Sequence, residues 1–225
     1  MPAYGAPQRI VRSARGLTIA LFFLAPSLVL ARLLVTALAP TVMEVGPGNA
    51  YMSRDGPFAL IALLIWIPTT TIGLIWAYRV AANANALSGG KGPSPGWAIG
   101  NWFIPLANVV LSVLVVLKVW RNSRAGSQGL VVGWGAVWAL YLVFTFALFV
   151  ASFVWGFAEG FKLASGESTT LTTPAWIVGM QWVNIGLYTL AAALFLPMAW
   201  MLVARQDRAL RPQSGATQQG TWNPS

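Results

Sequence analysis

The sequence predicts an all-α integral membrane protein with four transmembrane helices plus a cytoplasmic-side interfacial or re-entrant helix. Three observations predict it. Of 225 residues, 57% are hydrophobic and 8% charged, where a typical soluble domain carries about 25% charged residues. Apolar stretches near the roughly 20 residues needed to cross a bilayer recur along the chain. The basic residues gather at the ends of those stretches, as the positive-inside bias requires. A soluble enzyme, a secreted disulfide scaffold and a wholly disordered chain are excluded as descriptions of the whole. With no His, no Cys and five acids, the residue sets of most soluble active sites are missing too.

The elements follow in order. Residues 1–16 form a basic N-terminus with Arg9, Arg12 and Arg15. The first span, 17–38, is interrupted by Arg32. Ala37-Leu38-Ala39 looks like a signal-peptide cleavage site, but the apolar run is about twice a normal signal core, so this stretch reads as an uncleaved anchor. The second span, 58–78, carries Pro68 followed by Thr69, Thr70 and Thr71. A kink is expected there, with hydroxyls satisfying the freed carbonyl. Ser88 to Gly96, rich in Gly, Ser and Pro, reads as a flexible link. Further apolar stretches cover 97–120, 130–155 and 176–203, the last kinked at Pro197. Residues 17–208 are expected to form a single membrane domain. The polar, Gln/Gly/Pro-bearing segment 209–225 is expected to be a disordered tail.

Charge decides whether 97–120 crosses. Five spans would place Lys118, Arg121, Arg124, Arg205, Arg208 and Arg211 outside and the acidic loop with Glu159 and Glu167 inside, inverting the bias twice. If 97–120 enters and leaves on one face or lies in the interface, the inside collects all of those cations. Arg9, Arg12, Arg15, Arg79 and Lys91 join them, against the acid Asp207. The outside then holds Arg54 and Lys162 against Glu44, Asp55, Glu159 and Glu167. Four spans with both termini cytoplasmic is the better solution. The net charge of +9 is thereby explained by membrane orientation, and no nucleic-acid partner is expected. Trp76, Trp97, Trp102, Trp120, Trp134 and Trp200 fall near the cytoplasmic interface, Trp155 and Trp176 near the outer one, as an aromatic belt would.

Within the spans, the polar candidates are Arg32, Gln181 and Asn184. A charged residue in a span is by default a candidate functional site. Arg32 lies about 9 Å along the helix from Leu38 at 1.5 Å per residue, within reach of snorkelling to the outer headgroups. Gln181 and Asn184, three apart, share a face and can bond a neighbouring helix. Gly129-x-x-x-Gly133 and Gly156-x-x-x-Gly160 match the close-packing pattern. With no Asp or Glu in any span and no His, a proton relay lacks a carrier.

The stretch from Trp97 is the most informative. Pro105 suits the first turn of a helix, and Asn108 and Ser112 share a face, with Lys118 and Asn122 close to it. The polar stripe is narrow, so the segment is expected to pack on the bundle from the cytoplasmic side. Here the residues resemble a known family. Trp76-x-Tyr78-Arg79, Asn83-x-Asn85-Ala86-Leu87, Trp97-x-x-Gly100-x-Trp102-Phe103-x-Pro105-x-x-Asn108, Val119-Trp120-Arg121-x-Ser123 and Val203-Ala204-Arg205-Gln206 are similar to actinobacterial polytopic membrane proteins grouped as a domain of unknown function. The resemblance runs from the first helix to about Arg208. It implies an amphipathic interfacial helix after the Asn, but assigns no activity. Ser112-Val-Leu-Val-Val-Leu makes this chain's helix greasier than the family pattern.

The resulting expectation is a non-enzymatic component of a bacterial cytoplasmic membrane. No catalytic residue, cofactor or metal is expected. Its partners are the lipid bilayer and a further membrane protein or second copy, met through Asn83, Trp97, Gly100, Trp102, Phe103, Pro105 and Asn108. The competing reading is a small-solute transporter or channel subunit, with Asn108, Gln181, Asn184 and Arg32 lining a path.

Overall fold

The computed structural model describes residues 12–38, 42–44, 56–104, 107–123, 125–165 and 170–218; Arg9, Arg54, Asp55, Pro105, Arg124 and Glu167 lie outside them. Apart from one pair of three-residue strands, the described chain is helical: α1 (Arg15–Leu38), β1 (Val42–Glu44), α2 (Gly56–Leu87), α3 (Pro95–Gly100), a 3-10 turn (Asn101–Phe103), α4 (Ala107–Asn122), α5 (Gly129–Ala164), β2 (Thr170–Thr172) and α6 (Ala175–Gln218). Four helices are long and apolar enough to cross a membrane: Arg15–Leu38, Leu63–Leu87, Gly129–Ala164 and Ala175–Leu210. This is a multi-pass membrane protein. At 16 residues, α4 falls short of the roughly 20 that a span needs.

The chain divides into two compact units. One takes in the described residues of Met1–Ala20, Ile72–Val132 and Leu196–Ser225. It therefore gathers the N-terminal end of α1, the C-terminal half of α2, all of α3 and α4, the start of α5 and the C-terminal part of α6. Arg12, Arg15, Arg79, Lys91, Lys118, Arg121, Arg205 and Arg208 all belong to it, so we term it the basic unit. The other comprises the described residues of Leu21–Thr71 and Gly133–Phe195 and is termed the apolar unit. In it β1 pairs antiparallel with β2, Val42 opposite Thr172 and Glu44 opposite Thr170. That pairing joins the α1–α2 and α5–α6 connections.

Local chemistry sets the helix ends. The Ser13 hydroxyl accepts from the Arg15 N–H at 3.2 Å at the start of α1, satisfying a donor that a helix N-terminus leaves free. Ser94 caps α3, accepting from the Trp97 N–H at 3.2 Å with Pro95 in the first turn. At the end of α2, Gly89 and Gly90 take φ of +62° and +90°, the left-handed conformation that stops helices and favours glycine. The Gly90 N–H then bonds the Asn85 carbonyl at 2.9 Å, and the Gly92 N–H bonds Asn85 Oδ1 at 3.0 Å. The link read as flexible is thus an ordered turn, because Asn85 offers two acceptors that hold it.

Other expectations are corrected as well. α6 runs on to Gln218, ten residues into the stretch expected to be a disordered tail; extending a formed helix is cheap compared with nucleating one. The hydroxyls near Pro68 bond the carbonyls one turn back, Thr69 to Ile65 at 2.6 Å and Thr71 to Ile67 at 2.9 Å, rather than that of Leu64. A methyl group added at glycine 129, 133, 156 or 160 would meet nothing within 4 Å, so neither Gly-x-x-x-Gly pair marks a close helix approach among the described residues. Trp76, Trp120 and Trp134 are core residues and not belt residues, being 2–3% exposed. For two of them, partners found inside the protein account for the burial: Trp76 Nε1 donates to Thr18 Oγ1 at 3.0 Å, and Trp120 Nε1 to the carbonyls of Gly126 and Ser127.

Candidate functional site

The motif residues separate into two groups in the basic unit, one turned inward and one outward. The inward group is built around Gln206, a fully buried amide that stands between Arg205 and Asp207 on α6. Its Nε2 donates to the Val80 carbonyl at 3.0 Å and to Ser123 Oγ at 2.8 Å. Its Oε1 accepts from Asn83 Nδ2 at 3.3 Å. Asn83, 2% exposed, also reaches the Arg12 carbonyl at 3.4 Å. One network thus ties the chain before α1 to α2, to the residue after α4 and to α6. Around it, Ser13 Oγ donates to Asp207 Oδ2 at 3.0 Å, Arg79 donates to the Ser13 carbonyl at 3.2 Å, and the Arg15 guanidinium lies 5.3 Å from the Trp200 ring centroid.

Asn101 belongs to the inward group too. It is fully buried, and its Nδ2 donates to the carbonyls of Trp97 and Ala98 at 2.9 and 3.3 Å, closing the end of α3. Asn108 is half-buried; its Nδ2 reaches the Trp102 carbonyl at 3.5 Å, and its backbone carbonyl accepts from the buried Ser112 hydroxyl. The Asn side chains of the motif therefore hold turns and helix ends. Sequence reasoning missed Gln206, Ser123 and Asn101 as structural residues, although all three stand inside the motifs quoted for the resemblance.

The outward group is aromatic and aliphatic. Trp97 is 47% and Phe103 69% exposed, and Trp102 is half-buried. On α4 the exposed positions include Val110, Leu114, Lys118 and Arg121, on one helical face at i, i+4, i+8 and i+11. The polar stripe expected through Asn108 and Ser112 instead turns toward protein, since Ser112 is 1% exposed. The reason is that Val115, Val116, Val119 and Trp120 are also buried, so the helix has two apolar sides. Gly100 is in ordinary helical conformation, φ −58° and ψ −33°, with open space where a methyl group would stand. It has no steric or conformational need to be glycine.

The intramembrane candidates lie in the apolar unit, with the exception of Asn108. Asn184, 7% exposed, donates from Nδ2 to Thr145 Oγ1 at 2.7 Å, linking α6 to α5 as helix glue. Gln181, one turn earlier, is half-buried. Arg32 does not behave as a snorkelling anchor: it donates to the Tyr141 hydroxyl at 3.2 Å and lies over the Tyr188 ring. The aromatic residues Trp134, Trp138, Tyr141 and Tyr188 form a chain of neighbouring rings 5.4–6.1 Å apart.

Neither the curated proteins nor the solved structures contain a match to this chain. A family match covers residues 49–172, from before α2 to the end of β2, and so includes the whole Trp97–Asn108 motif while leaving α1 and all of α6 outside. The chain belongs to the family described as Domain of unknown function (DUF4328).

Proposed function

We propose that this protein is a non-enzymatic component of the bacterial cytoplasmic membrane that acts through partner interactions at the α3–α4 segment. Both termini are cytoplasmic in this reading, and 97–120 lies in the inner interface. One observation carries it: the side-chain amide nitrogens of Asn83, Asn101 and Asn108 are spent within the fold, while Trp97 and Phe103 are left facing outward. Large aromatics in such positions are the residue types that dominate binding energy at interfaces. The outer face of α4 supports an interfacial seat, because Val110 and Leu114 can enter the headgroup boundary while Lys118 and Arg121 meet anionic lipid. The partner is another membrane protein or a second copy of this chain, since a surface at membrane depth is reachable only within the membrane plane. With no His and no Cys in the chain, the usual nucleophile–base pairs have no residues to form them.

The test uses a photo-reactive side chain at Phe103 in native membranes. A discrete crosslinked species is expected, and Trp97→Ala should reduce it by about tenfold or more, the loss of one strong interface contact, while melting temperature stays within a few degrees. Ion conduction or solute uptake by the purified protein in liposomes would overturn the proposal in favour of a transport role.

A further inference from the structure

The apolar unit contains a charge that no acid among the described residues neutralises. Arg32, half-buried on α1, donates from Nη1 to the Tyr141 hydroxyl at 3.2 Å. Its Cζ lies 4.9 Å from the Tyr188 ring centroid. Among the described residues the ion pair present is Lys162–Glu159, one turn apart on α5, and it does not involve Arg32. The guanidinium is met by an aromatic face and a phenol oxygen.

Hydrogen-bond chemistry says what is missing. A guanidinium offers five N–H donors and accepts nothing. In the Arg32–Tyr141 bond the tyrosine oxygen is therefore the acceptor, and the Tyr141 proton is turned elsewhere. Tyr141 is itself 6% exposed. It is fixed in place, with Trp138 and Tyr188 ring centroids 5.4 Å away. One turn further along α5 and one turn back along α6, Thr145 and Asn184 are joined at 2.7 Å, which holds the spacing of the helices that carry the two tyrosines. The result is a preorganised positive charge with several unspent donors in a span, where an uncompensated cation is expensive.

We propose that Arg32, Tyr141 and Tyr188 form a binding site for an oxyanion, a carboxylate or phosphate group, carried by an amphiphile within the membrane or by a small solute. A guanidinium pairs with either group through two parallel N–H···O bonds. Tyr141 O–H supplies a further donor, and the Tyr188 ring covers the guanidinium by cation–π contact. This explains why the side chain turns to α5 and α6 when the outer headgroups are within its reach. The site stands independently of the partner surface at α3–α4.

Thermal melting of the purified full chain in dodecyl maltoside, which has no oxyanion, tests it. Inorganic phosphate represents the solute arm; phosphatidylglycerol and palmitate represent the amphiphile arm, each compared with chloride at matched ionic strength. A saturable rise in Tm of about 5 °C is expected in one arm, and the arm that responds identifies the source. Arg32→Gln should abolish the rise. Tyr141→Phe, which keeps the ring packing, should raise the half-saturating concentration about tenfold and carries the test if Arg32→Gln does not fold. No rise with any probe, or a rise of equal size in both variants, overturns the site.

Discussion

A buried amide costs least when its donors and acceptor are all used, and Gln206 meets that condition with three bonds to three chain segments. Removing it leaves Asn83 and Ser123 buried with fewer partners, at about 1–3 kcal/mol for each group stranded. Gln206→Leu and Asn83→Leu should therefore each lower the Tm by several degrees in detergent. The double variant should cost less than the two single losses added, because the same bond cannot be lost twice; a double-mutant cycle would read a coupling of about 0.5–3 kcal/mol. Additive losses would show that the two side chains act separately. Little of this was legible in the sequence. Gln206 lies 123 positions from Asn83, and nothing in the local pattern of either distinguishes a buried partner from a solvated helix end. Arg32 was visible as an anomaly, but its depth suited snorkelling, and only the positions of Tyr141 and Tyr188 decide which way it turns.

At the scale of elements, hydropathy was a good guide to the long helices and a poor one to the turns. The four spans were legible because a bilayer imposes a length on any apolar run. The 88–96 turn was not, since Gly and Pro signal a break without saying whether the broken chain is held. Here a close approach holds it. A methyl group on Gly92 would sit 2.5 Å from Asn85 Cα and 2.7 Å from Asn85 N, and backbone cannot move aside as a side chain can. Gly92→Ala should force the turn off α2, break the Gly92–Asn85 bond and lower the melting temperature. Gly100→Ala should be neutral or stabilising by up to about 1 kcal/mol, the helical preference of Ala over Gly. Equal effects at the two positions would mean that the turn is not packed as described. The same pair separates motif residues kept for shape from those kept for contact. The sequence pattern highlighted Gly100, yet the glycine that the packing requires is Gly92.

At the scale of the whole molecule, the charges carry the argument. The basic residues expected on one face all fall, where described, in the basic unit, and the Glu159–Lys162 pair falls in the other. The positive-inside bias was strong enough to choose four spans over five because so few charges compete with it. The paired strands β1 and β2 add a second constraint: they bring together the α1–α2 and α5–α6 connections, which must then share a face. In the orientation proposed above, the ends of the chain share the other. The native chain has no cysteine, so single-cysteine labelling can test this without background. Ser127 and Ser165 are both exposed and stand at opposite ends of α5. In intact cells stripped of outer barriers, Ser165→Cys should react with a membrane-impermeant maleimide and Ser127→Cys should not, until the membrane is opened. Labelling of Ser127→Cys alone would invert the orientation or require 97–120 to cross, and labelling of both from outside would mean that α5 does not cross; in either case the inner seat of α4 would go with it.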